Sequence, residues 1–75
     1  MLQKRSLSLA GHATSLALEP PFWAVLEAMA AAQGVSLPEL IVRIDAERGR
    51  SLLASACRVR ALAWAGARDG KPTTP

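Results

Sequence analysis

Few side chains in this 75-residue chain can do chemistry. His12 is the only histidine and Cys57 the only cysteine. One chain therefore cannot close a disulfide or assemble an ordinary Cys/His zinc site. Cys57 lies in an apolar, alanine-rich stretch with no local base, so it reads as a small buried hydrophobe rather than a nucleophile. Asp45 and Glu47 are two apart and diverge on a helix. The serines have no base at a recognisable spacing. An enzyme is not expected, and neither is a metal or a cofactor. What remains is charge: nine Lys and Arg against six Asp and Glu, a net +3 and a pI near 10.0. That balance suits a nucleic-acid partner. Arg48, Arg50, Arg58 and Arg60 could form a basic surface, but a solvated face is an equally good reading. His12 reads as an exposed turn residue.

The elements that must position these groups are short. Residues 6–10 (SLSLA) and 14–18 (TSLAL) alternate with period two, as half-buried strands do. Gly11-His12 between them reads as a two-residue hairpin turn of type II′. This register sets Leu7 opposite Leu16 and Leu9 opposite Thr14. Leu7, Leu9, Leu16 and Leu18 then share one face, and Ser6, Ser8, Ala10, Ala13, Ser15 and Ala17 the other. Pro20-Pro21 open a helix over residues 20–33, which Gly34 ends. Phe22 is expected in its core, with Trp23 covering a dimer seam. Ser36-Leu37-Pro38-Glu39 matches a capping box for a second helix, about 36–48. A third, about 51–66, presents Leu52, Leu53, Ala56, Val59, Leu62 and Ala63. Residues 1–66 are expected to form one domain and residues 67–75 a disordered tail.

A domain this small buries little surface alone. Without a disulfide or metal, self-association is the expected source of further core. No apolar run is long enough to span a membrane. Met1-Leu2-Gln3-Lys4-Arg5 leads into serines rather than an apolar signal core, so a cytoplasmic location is expected.

The order strand, helix, Gly-turn, capped helix resembles the ribbon-helix-helix superfamily of Arc- and methionine-repressor-like proteins. The resemblance is carried by Lys4-Arg5-Ser6, Gly11-His12-Ala13-Thr14-Ser15, Leu18-Glu19-Pro20-Pro21-Phe22-Trp23, Gly34-Val35-Ser36-Leu37 and Leu40-Ile41. It is nearest a bacterial branch of short proteins and covers roughly residues 4–48. The resemblance implies a mainly α fold with a short N-terminal β element. Two copies would intertwine through an antiparallel sheet of two or four strands, with the third helix enlarging the core. The implied shared core is Leu16, Leu18, Phe22, Leu26, Leu40, Ile41 and Ile44.

The implied function is DNA binding and transcription regulation, by inserting the ribbon into the major groove of double-stranded DNA. Ala13, Ser15 and Ala17 would then face the bases. Lys4, Arg5, Ser36 and the Leu37 amide would meet phosphate. Alanine offers no hydrogen bond to a base edge, and Pro38 removes one amide from the phosphate cradle. A four-stranded sheet, about 14 Å across, also exceeds a groove about 12 Å wide. Either residues 4–10 leave the sheet as an arm, or the sheet face has another partner. The rival readings are a dimeric protein-interaction module and, ranked lower, an antitoxin with a toxin-binding tail.

Overall fold

The computed structural model describes residues 1–68, in the order β1 (Gln3–Leu9), β2 (His12–Leu18), α1 (Pro20–Gln33), α2 (Leu37–Glu47) and α3 (Leu53–Arg68). Ala67 and Arg68, expected in the tail, belong to α3, and residues 69–75 lie outside the described part.

β1 and β2 form an antiparallel hairpin, and its register corrects the expected one. Leu9 pairs with His12, Leu7 with Thr14 and Ser6 with Ser15, so the turn is Ala10-Gly11 rather than Gly11-His12. Both turn residues have positive φ, 51° at Ala10 and 86° at Gly11. Positive φ at both central positions defines a type I′ turn, whose twist matches that of the strands. Gly11 meets this without cost, whereas Ala10 is strained in the left-handed region. The pairing slips by two residues from the expected one, so the division of the faces survives. Leu9, Leu16 and Leu18 are buried and Leu7 is half-buried, while Ser6, Ser8, Ala13 and Ser15 are exposed. β1 also begins at Gln3, which brings Lys4 and Arg5 into the sheet.

α1 has the expected limits. Pro20 and Pro21 occupy its first turn, where a missing N–H costs nothing. Gly34, at φ 71°, ends it. The Val35 amide donates to the Ala30 carbonyl at 3.0 Å and the Gly34 amide to that of Ala31 at 3.1 Å, a Schellman closure. Two residues later the Ser36 hydroxyl accepts from the Glu39 amide at 3.2 Å and starts α2. The short link bends the α1–α2 pair by 99°.

The helices cover one face of the hairpin. The core combines Leu16 and Leu18 from β2, Trp23, Leu26 and Met29 from α1, Leu40, Ile41 and Ile44 from α2, and Cys57 and Ala61 from α3. Trp23 and Phe22 exchange their expected places: the indole is fully buried and the phenyl ring only half-buried. The reason is a hydrogen-bond partner for the indole nitrogen, which donates to the Gln3 carbonyl at 2.8 Å. α3 buries Cys57 and Ala61 but leaves Val59 and Leu62 exposed at 62% and 70%, and Leu52, just before it, is exposed at 76%. The expected inward stripe of α3 is thus partly an outward one. No single described helix is long and apolar enough to cross a membrane.

Candidate nucleic-acid interface

The open face of the hairpin is set by the pleat. Lys4, Ser6 and Ser8 of β1 lie beside Ala17, Ser15 and Ala13 of β2, in that cross-strand order. All point away from the leucine side. The residues flanking a two-residue turn exchange both backbone bonds, and alternate pairs follow suit. His12, Thr14, Leu16 and Leu18 therefore turn their amides toward β1. Ala13, Ser15 and Ala17 turn theirs to the other edge of β2, which has no strand partner among the described residues. A groove of about 630 Å³ runs along that edge. It is lined by Leu9, His12, Thr14, Ser15 and Leu16, faced by Val42 and Asp45 of α2, by Arg48 at its C-cap and by Leu53 and Ala54 of α3.

Lys4 and Arg5, expected together as a basic arm, point to opposite faces. Arg5 shares the inward face of β1 with Leu7 and Leu9. Its guanidinium lies 4.6 Å from the Trp23 ring centroid, and its Nη1 donates to Glu27 Oε2 at 2.6 Å. Its charge is committed to α1, and Lys4 is the cation of the outer face. Period-two alternation would have located Arg5 had the strand been started at Gln3 rather than Ser6.

The start of α2 is partly occupied by its own residues. The Ser36 hydroxyl is used in capping, Pro38 has no N–H, and the Glu39 carboxylate sits in the same turn. An acid there already satisfies the positive end of the helix dipole. Glu39 does not close the expected reciprocal box; its carboxylate lies 3.8 Å from Arg43. The Ser36 and Leu37 amides are the backbone donors of this turn without a hydrogen-bond partner among the described residues.

Every carboxylate in residues 1–68 has an arginine beside it. The pairs are Glu19–Arg58 at 2.8 Å, Glu27–Arg5 at 2.6 Å, Glu39–Arg43 at 3.8 Å, Asp45–Arg48 at 2.5 Å, and Glu47–Arg60. Of the four arginines that could have formed a basic surface, Arg48, Arg58 and Arg60 are each paired with an acid. Arg58 also lies 5.8 Å from the Phe22 ring and holds the Glu19 carboxyl below its ordinary range, chiefly through its hydrogen bond. Burial pushes the Cys57 thiol up to about 11, so it is an unreactive core group. Among the described residues no cluster of His, Cys, Asp and Glu could hold a metal ion.

Of the seven residues expected in a shared core, Leu16, Leu18, Leu26, Leu40, Ile41 and Ile44 are already buried within one chain, and Phe22 is half-buried. The open apolar surface lies instead along the β2 groove and on α3.

The chain belongs to the ribbon-helix-helix family: residues 2–65 match the ribbon-helix-helix domain. It is similar to the solved structure of an uncharacterized protein from Bordetella pertussis Tohama I, with 39% sequence identity and a TM-score of 0.77. The match covers 97% of this chain and 64% of that one, so this chain spans just under two thirds of that relative's length. No curated protein matches it significantly.

Proposed function

We propose that this protein is a homodimeric DNA-binding regulator, joined through β2 and facing the major groove with the resulting sheet. Membership of a family whose domains are generally DNA-binding regulators supports the class of function. The observation that carries the geometry is the open edge of β2. Two copies related by a two-fold axis at Ser15 pair Ala13 with Ala17, Ser15 with Ser15, and Ala17 with Ala13. The small side chains let the two strands approach without a clash. The apolar floor of the groove beside them is covered in the same step. Ala13, Ser15 and Ala17 then lie nearest the base edges, with Lys4 and the Leu37 amide directed at phosphate. Cytoplasmic location in a bacterial cell fits this role.

Fluorescence anisotropy with labelled duplex DNA tests the reading. Affinity should fall steeply with salt as counterions are released. Ser15→Asp, with its dimer verified by sedimentation, should bind far more weakly. Unchanged affinity in that dimer refutes base-facing placement of β2.

A second reading, a dimeric protein-interaction module, is favoured by one observation: the face nearest the bases carries only Ala13, Ser15 and Ala17, and alanine reads little beyond a thymine methyl. No binding of random duplex at low salt and high micromolar dimer selects this reading over the first.

A further inference from the structure

We infer that β1 stays in the sheet on DNA and serves as a fixed flanking strand, with Lys4, Ser6 and Ser8 against the phosphate backbone. This rests on the DNA-binding dimer proposed above and specifies how its surface meets the duplex.

The first observation is that β1 is fastened at both ends. Near its start, the Trp23 indole donates to the Gln3 carbonyl at 2.8 Å, and Arg5 lies over that ring while paired with Glu27 at 2.6 Å. Near its end, Leu9 is buried and Leu7 packs on the core. The strand is laddered to β2 along its whole length, from Gln3–Leu18 to Leu9–His12. Peeling it away would expose leucine surface, break the ladder and separate Arg5 from Glu27. Nothing on this strand resembles a loose arm.

The second observation is width. With β1 in place the dimer sheet has the order β1-β2-β2-β1, and three gaps of about 4.8 Å set the outer backbones about 14 Å apart. A groove about 12 Å wide does not admit that sheet. The central β2 pair lies over the groove, and the two β1 strands fall over its walls, where the phosphates are.

The third is charge and chemistry. The outer face of the hairpin has hydroxyls at Ser6, Ser8 and Ser15, a cation at Lys4 and no acid. The described carboxylates lie elsewhere, each beside an arginine. Hydroxyls and a lysine without an acid suit phosphate oxygens. Backbone contacts dominate such an interface, so binding is sequence-tolerant: the small central residues stay above the base edges.

Amide exchange with and without duplex DNA is the direct test. The Arg5 and Leu7 amides, bonded to β2, should keep their protection in the complex. Lys4→Ala, a change at an exposed position, should reduce the slope of log K against log salt by about 2 per dimer, since one phosphate contact is lost from each copy. Loss of Arg5 and Leu7 protection on DNA overturns the inference and leaves a peeled, groove-inserting ribbon. An unchanged salt slope in Lys4→Ala overturns it as well. Absence of salt-dependent binding by the unaltered protein overturns the DNA reading itself, while the protection of β1 in the free dimer still reports on how firmly that strand is fastened.

Discussion

Trp23→Phe puts the fastening of β1 to a quantitative test. The indole Nε1 hydrogen bond to the Gln3 carbonyl, at 2.8 Å, is part-buried. A neutral bond of this kind contributes about 1 kcal/mol net. Arg5, with its side chain about one third exposed, stands 4.6 Å from the ring centroid. At such exposure the cation–π contact is worth about 0.5–1 kcal/mol, and a phenyl ring retains part of it. The smaller ring also gives up buried apolar surface in a site where Trp23 is 1% exposed. Two or so missing ring atoms account for about 1–1.5 kcal/mol. The sum is about 2.5 kcal/mol. For a chain this size, whose total stability is of order 4–11 kcal/mol, that is a large fraction. Urea unfolding followed by far-ultraviolet circular dichroism, at one fixed protein concentration, measures it. Fluorescence is less suitable because Trp64 also reports. Amide exchange should show Arg5 losing protection more than Leu26, since the hydrogen bond and the cation contact act on β1. A destabilisation under about 0.5 kcal/mol, or a uniform loss of protection throughout the chain, would refute the fastening of β1 by Trp23 and Arg5.

Ala10→Asn should stabilise the hairpin by about 0.5–1 kcal/mol, because asparagine tolerates the left-handed φ of 51° better than alanine, and a rise in the urea midpoint checks it. The Glu19–Arg58 pair should make stability pH-dependent: the folded carboxyl is held below its unfolded value, so the contribution is present at neutral pH and is lost as pH falls through the carboxylate range. Arg58→Met should flatten that acid limb in a pH series of thermal melts; an unchanged limb would assign it to the other ion pairs. The Cys57 thiol, raised to about 11 by burial, should resist a disulfide reagent at pH 8 in the native protein and react at once in denaturant. Rapid native reaction would mean that α3 opens easily from α1 and α2.

Much of the fold was legible because it is written in local rules. Pro20-Pro21 at one end and Gly34 at the other delimit α1 through backbone geometry alone, and Ser36 caps α2 across only three residues. Period-two alternation sorted Leu7, Leu9, Leu16 and Leu18 from Ser6, Ser8, Ala13, Ser15 and Ala17. The same periodicity could not locate the turn. A slip of two residues leaves every side chain on its face, so the pattern is blind to it, and the choice fell to the twist that a type I′ turn gives. Alternation placed Ala13, Ser15 and Ala17 on one face and the cap placed Ser36 at the start of α2, while the family resemblance alone made them candidates for DNA. Lys4 and Arg5 looked alike in sequence and are opposite in the structure.

What the sequence determined by itself was therefore the first two helices, the Ser36 cap and the Gly34 stop, the sorting of the hairpin faces and the family resemblance, all but the last consequences of short-range geometry. The tertiary structure decided what depends on groups far apart in the chain. It buried Trp23 rather than Phe22, because only Trp23 has a polar edge that Gln3, twenty residues earlier, can satisfy. It also drew Arg5 onto Glu27 and Arg58 onto Glu19, across separations of 22 and 39 residues. The first pairing helps to hold β1 in the sheet and the second neutralises Arg58, because packing rather than sequence spacing brings these two pairs together.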